Sequence, residues 1–134
     1  MWDFDLSVTI CSWNTRDELA ACLASVEAIR DEASFETIVI ENNSQDGSGQ
    51  MVRDRFPWVV LHEMPRNLGF TGGHNFAIEH RRGRHAFLLN SDATVHPGCI
   101  AALLEYLKQD PKVGIVGPKV LNPDGSIQLS CRRF

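Results

Sequence analysis

The chain has 134 residues, 43% hydrophobic and 22% charged, a balance that suits one globular domain with a substantial core. A net charge of −4 and a pI near 5.7 argue against a nucleic-acid binder, which usually carries a basic excess. No apolar run approaches the roughly 18 residues of a membrane span, "MWDFDLSVTIC" lacks the basic lead of a signal peptide, and Cys11, Cys22, Cys99 and Cys131 form no C-x-x-C pair, so reduced thiols in a cytoplasmic setting are expected rather than zinc or disulfides.

In chain order, "DLSVTICSWN" predicts a strand over about residues 6–12. Asn14-Thr15 offers a helix N-cap, and Glu18, three residues after Thr15, completes a capping box. Leu19 is followed by Cys22, Leu23, Val26 and Ile29 at offsets of 3, 4, 7 and 10, one face of a helix. "FETIVIENN" predicts a second strand ending in Glu41-Asn42-Asn43, and "SQDGSG" opens a second helix over about residues 49–56. "WVVLHEM" predicts a third strand, "RNLGFTGGHNFAIEH" a glycine-rich loop entering a third helix, and "HAFLLN" a fourth strand. Pro97 suits a helix first turn, and Ile100, Leu103, Leu104 and Leu107 give that helix an apolar stripe. "VGIVGPKVL" predicts a fifth strand, followed by the turn Asn122-Pro123-Asp124-Gly125 and "SIQLS".

Strands apolar on both faces, alternating with helices, predict an α/β fold: a three-layer sandwich with a mostly parallel sheet and helices on both faces. Ligands of such sheets sit beyond the carboxyl ends of the strands. Trp13-Asn14, Glu41-Asn42-Asn43, the glycine loop and Asn90-Ser91-Asp92 all fall there. Asp92, beside an amide and a hydroxyl, is hard-oxygen chemistry suited to Mg²⁺ or Mn²⁺ held jointly with substrate phosphates; taken alone it reads more readily as a turn cap before Pro97. Glu41 and Asn42 can bond a ribose or base edge, or simply build a polar turn. The backbone of Gly72-Gly73 can face an anion, although the loop matches neither G-x-G-x-x-G nor the phosphate-loop pattern, and conformational freedom is the expected need of these glycines. His74 reads as a packing histidine, and "HRRGRH" (residues 80–85) as a solvated turn at the opposite, amino end of a strand. Trp13 can stack on a base or join the core.

Five ordered segments, "SVTICSWNTRDELAACLASV", "IVIENNSQDGS", "RNLGFTGGHNFAI", "FLLNSDATVHPG" and "VGIVGPKVLNPDGSIQLSCRRF", resemble bacterial family 2 glycosyltransferases, in particular the rhamnosyltransferase-like branch that builds cell-surface polysaccharides. The resemblance implies a Rossmann-like GT-A fold and inverting transfer of a sugar from a nucleotide-diphospho-sugar, dTDP-rhamnose or a UDP-sugar. It places Cys11 and Trp13 at the base, Glu41 and Asn42 at the base or ribose, and Gly72 and Gly73 beside the donor. Asn90-Ser91-Asp92 stands at a metal motif, usually Asp-x-Asp, in which Asp92 holds Mg²⁺ or Mn²⁺ against the diphosphate, Asn90 faces the ribose side and Ser91 joins the nucleotide-sugar contacts. Glu41 and Asn90 each stand where the family usually has Asp. It further implies that residues 1–134 are the nucleotide-sugar-binding domain, that the general base and the contacts to a glycan or lipid-linked acceptor lie beyond Phe134, and that this chain binds donor without turnover. The expected setting is cytoplasmic, peripheral to the inner face of the membrane in a longer protein. The expected partners include no nucleic acid and, since an uncovered sheet edge invites pairing, a second copy of the chain. The rival reading is a non-catalytic α/β nucleotide-binding or regulatory module; a receiver-like domain would want acids at the end of the first strand, where this chain has Cys11-Ser12-Trp13.

Overall fold

The computed structural model describes residues 1–129; Ser130, Cys131 and the rest of the "CRRF" tail, including the thiol expectation for Cys131, lie outside the described residues. The chain forms two compact units, Met1–Pro97 and Gly98–Phe134. The first contains β1 (Phe4–Ser12), α1 (Arg16–Glu27), β2 (Phe35–Glu41), α2 (Ser48–Arg55), β3 (Val60–Glu63), α3 (Gly69–His80) and β4 (Gly83–Asn90). Its sheet is all parallel, in the order β3-β2-β1-β4.

That order explains the layers. The chain steps outward from β1 through β2 to β3, then returns across the sheet to lay β4 on the far side of β1. Right-handed crossovers put α1 and α2 on one face and α3 on the other. The strand alternation agrees. Thr9 and Cys11 of β1 and Ile38 and Ile40 of β2 meet His74, Gly73 and Ala77 of α3. Leu6, Val8, Ile10 and Val39 point the other way and are buried, as are Leu19, Leu23 and Val26 of α1 and Met51 and Val52 of α2, two helices that pack side by side. Each such aliphatic side chain contributes about 1.5–3 kcal/mol by leaving water.

β1 is central, so its Ser7, Thr9 and Ser12 are buried too and each is paired. Ser7 Oγ donates to Glu36 Oε1 at 2.6 Å and accepts from the Gly83 N–H at 2.8 Å. Glu36, buried, also accepts from the Arg82 N–H and from Arg82 Nε at 3.0 Å. The basic turn expected to be solvated is therefore partly tied down: exposed Arg82 locks the amino end of β4 to β1 and β2. Burial opposes the Glu36 charge, but the hydrogen bonds from Ser7 and Arg82 outweigh it and hold the carboxyl below its usual range.

The second unit contains α4 (Cys99–Gln109). The fifth strand expected over residues 113–121 is not formed: this run has no ladder, and Ile115 is 93% exposed. The expected turn is present, with Gly125 N–H on the Asn122 carbonyl at 2.9 Å, but it closes only an isolated antiparallel bridge, Leu121 with Ile127. β-branched residues make a strand only where a neighbour takes their backbone hydrogen bonds. No helix among the described residues is long and apolar enough to cross a membrane.

Candidate functional site

The direction of strand order reverses between β1 and β4, and the crevice at the carboxyl ends of such a pair is where open α/β sheets bind ligands. Register aligns Cys11 with Asn90, Ser12 with Glu41, and Glu41 with Glu63. The polar clusters singled out in the sequence thus share one edge, and α3 begins there after β3.

Two hydrogen-bond systems build this edge. The first joins the β1 and β2 loops. Asn14, in the left-handed region at φ 52°, places its N–H on Ser44 Oγ at 2.9 Å and accepts from the Gln45 N–H at 2.8 Å. Asp46 Oδ2 accepts from the Arg16 N–H at 2.9 Å, while its Oδ1 accepts from the Ser48 N–H and hydroxyl; one carboxylate serves the starts of both α1 and α2. Burial opposes its charge, but these bonds dominate and lower its pKa. The second system crosses from β1 to β4. Ser12 Oγ lies 2.9 Å from Thr15 Oγ1, which donates to Ser91 Oγ at 3.0 Å, and Ser25 Oγ accepts from the Val95 N–H at 3.0 Å. The capping box expected at Thr15 and Glu18 is not made: Thr15 holds the N-cap position without a side-chain cap bond. Sequence reading placed Asn14 at this edge without giving it a role and did not assign Thr15, Ser44 or Asp46 to the site; the only signal was the density of Asn, Ser and Asp in these loops.

The predicted residues divide by exposure. Trp13 is 55% exposed at the tip of β1, a free ring rather than core. Glu41 is buried and its Oε1 accepts from the Ser44 N–H at 2.7 Å. Buried Asn42 accepts from the Leu68 N–H and donates to the Gly69 carbonyl, tying β2 to the entry of α3. Cys11 reaches toward the Phe70 carbonyl at 3.8 Å, and burial pushes its thiol up to about 11, so it is protonated at neutral pH. Asn90 and Asp92 are exposed and Ser91 is half-buried.

The glycines are placed differently from expectation. Gly72 and Gly73 lie within α3, not in a loop, and the left-handed conformation belongs to Gly69 at φ 70°. Gly73 is required for space: a Cβ there would lie 2.6 Å from Cys11 Sγ and 3.4 Å from Asn42 Nδ2. Gly73→Ala is expected to cost about 1–3 kcal/mol as overpacking, partly offset by its better helix propensity. In a Cys11→Ala background the same change is expected to be close to neutral. Urea midpoints of the four chains check this; equal losses in both backgrounds would refute the contact as the cause.

His74 is a packing histidine, as expected. It is buried, with Nδ1 3.0 Å from Thr9 Oγ1, its ring edge-on to Phe70, and Nε2 without a partner among the described residues. Burial holds its pKa below the ordinary value. The unfolded chain then binds the proton more readily, so stability is complete above about pH 6.5 and declines as pH falls below it. His62, lowered by burial and by His80, acts in the same direction. The urea midpoint should fall between pH 7.5 and 5.5, and His74→Gln should flatten that decline; an unchanged pH slope would contradict the assignment.

Among the described residues, no group of three or more His, Cys, Asp or Glu side chains is placed to hold a metal ion. The Asp92 carboxylate is exposed, and no hydrogen bond or ion pair from a described residue engages it; its charge is sensed by the Cys22 thiol, which burial first and Asp92 second push up to about 12. A single uncommitted carboxylate fits a hard divalent ion that takes its other ligands from phosphate and water, not an all-protein cage.

Residues 7–129 match the family model described as Glycosyl transferase family 2. The chain is 29% identical over 141 aligned residues to an N-acetylglucosaminyl-diphospho-decaprenol L-rhamnosyltransferase of Mycobacterium tuberculosis, covering 96% of this chain and 45% of that protein. Its fold is similar to a mannosyltransferase from Pyrobaculum calidifontis in complex with GDP-Man and Mn²⁺, at TM-score 0.72 and 23% identity over 85% of this chain and 37% of the other. It is also similar to S. aureus TarS in complex with UDP-GlcNAc, at TM-score 0.69 and 19% identity over 78% of this chain and 31% of the other. The chain therefore spans less than half the length of each of these proteins.

Proposed function

This chain belongs to glycosyl transferase family 2, and on that premise we propose that its first unit is the donor-binding part of an inverting glycosyltransferase. It holds a nucleotide-diphospho-sugar together with Mg²⁺ or Mn²⁺ at the carboxyl ends of β1, β2 and β4. The observation that carries this reading is the Asp92 carboxylate at the β1/β4 switch point, with no hydrogen-bond or ion-pair partner among the described residues and adjacent to the Ser91 hydroxyl. Trp13 offers a stacking face for the base, Asn90 and Ser91 offer polar contacts to ribose and phosphate, and Asp92 supplies the protein's anionic ligand to the cation. Glu41 and Asn42, buried and bonded to the loops, keep the base-side wall in shape. Gly73 lets α3 approach β1 and β2 closely, which brings the helix start to the same edge. A divalent ion bound with the diphosphate supplies Lewis acidity, neutralising charge on the leaving group.

The name of the rhamnosyltransferase relative supports a rhamnosyl donor and a lipid-linked acceptor, and the TarS complex with UDP-GlcNAc supports a UDP-sugar as donor; we therefore propose dTDP-rhamnose or a UDP-sugar as donor, a glycan or lipid-linked acceptor, and an enzyme working at the inner face of the membrane. Proton removal from the attacking acceptor hydroxyl we assign to the remaining length of the enzyme.

The test is thermal unfolding of the 134-residue chain with MnCl₂, with uridine or thymidine diphosphate, and with both. Weak effects of each alone and a clear upward shift with both are expected; at about 100 times the dissociation constant the stabilisation is about 2.7 kcal/mol. No shift with any nucleoside diphosphate in the presence of Mn²⁺ or Mg²⁺ would refute the reading.

A further inference from the structure

Thr15 breaks a local rule. The Leu19 N–H bonds its carbonyl at 2.8 Å, which makes it the N-cap of α1, and a threonine there ordinarily turns its hydroxyl to a first-turn N–H. Here the Thr15 hydroxyl makes no such bond and is turned to Ser12 and Ser91, while the first helical N–H, that of Arg16, is taken by Asp46 Oδ2 from the β2 loop. Departures from local preference concentrate where function needs them.

The bonding has a direction. A hydroxyl carries one proton. Thr15 donates its proton to Ser91, so Ser12 is the donor in the Ser12–Thr15 bond. Ser91 accepts from Thr15, which leaves its own proton for a different partner. The segment is also held on both sides, Asn14 by Ser44 and Gln45 and Arg16 by Asp46, so Thr15 cannot follow Ser91 if the β4 loop shifts.

We propose that Thr15 is a positioning residue that, through the Ser12–Thr15–Ser91 relay, holds Ser91 as a hydrogen-bond donor to an anionic diphosphate oxygen at the β1/β4 switch point. The proposal rests on the donor-binding reading above and adds a residue and a polarity to it. A neutral hydroxyl donating to a charged oxygen forms one of the stronger classes of hydrogen bond, and its loss corresponds to about a 10-fold weakening.

The test is calorimetric titration of uridine and thymidine diphosphate in the presence of Mn²⁺ into the parent chain, Thr15→Val, Ser91→Ala, the double variant and Thr15→Ser. Thr15→Val and Ser91→Ala should each raise Kd about 10-fold. The double variant should be no weaker than Ser91→Ala alone, because Thr15 acts through Ser91. Thr15→Ser, which keeps the hydroxyl, should bind close to the parent. A merely structural Thr15 would weaken binding by the same factor with or without Ser91, and multiplied losses in the double variant would overturn the proposal. So would parent-like binding by Thr15→Val. A parent chain that binds neither nucleotide would overturn the donor-binding reading and this proposal together; a parent that binds while Thr15→Val is unchanged overturns this proposal alone.

Discussion

Asp92→Ala is expected to abolish the Mn²⁺-dependent part of nucleoside diphosphate stabilisation while leaving the melting temperature of the free chain unchanged. The carboxylate is exposed and engages no hydrogen-bonding or ion-pairing partner among the described residues, so removing it leaves no protein group unsatisfied and opens no cavity. Surface changes of that kind usually stay within about 0.5 kcal/mol. Its loss from the ligand's side is different in kind. With no cluster of three ligating side chains among the described residues, a cation at this edge has one protein carboxylate to rely on, and the alanine variant leaves only water and phosphate. Asp92→Asn keeps an oxygen donor without the charge and should retain a fraction of the effect. Thermal unfolding with and without Mn²⁺ reads this directly; an alanine variant stabilised by Mn²⁺ plus nucleotide as strongly as the parent would remove Asp92 as the ligand.

Gly83→Ala should be the most damaging single methyl group in the first unit. Gly83 opens β4 against β1, and a Cβ there would lie 2.2 Å from the Leu6 carbonyl carbon and 2.3 Å from Ser7 N. Both are backbone atoms of the central strand, which cannot rotate aside as a side chain can. Overpacking usually costs about 1–3 kcal/mol; here β1 and β4 must separate, which also strains the Gly83 N–H bond to Ser7 Oγ and the Arg82–Glu36 tie beside it. A loss of roughly 3 kcal/mol or more is expected. The same two strands carry Ser12 and Ser91 at their other ends, so nucleotide affinity should fall with stability. Gly114, where a Cβ would meet nothing within 4 Å, is the control, and Gly114→Ala should stay within about 0.5 kcal/mol. Equal urea midpoints for the Gly83 and Gly114 variants would contradict the packing argument.

The sequence by itself determined the sandwich and the edge at which its polar residues collect. Leu19, Cys22, Leu23 and Val26 fall on one helical face, and the runs ending at Ser12, Glu41 and Asn90 are rich in apolar residues; burying those patterns leaves few arrangements other than a covered parallel sheet. The same rule placed Asp92 beyond a strand's carboxyl end, where it is found. What periodicity could not decide is which partner a polar group chooses once the chain is folded. Glu36 turns to Ser7 and Arg82, far along the chain, and Thr15 forgoes the cap its neighbours suggested, its hydroxyl turned to Ser12 and Ser91 while Asp46 arrives from another loop to take the Arg16 N–H. Gly73 is glycine because Cys11 of a distant strand occupies the place of its Cβ, while the run around Ile115, strand-like in composition, forms no ladder without a neighbour. Hydrophobic burial depends on spacing along the chain and is legible there. Hydrogen-bond choice and close approach depend on atoms brought together from separate segments, and only the tertiary structure specifies those.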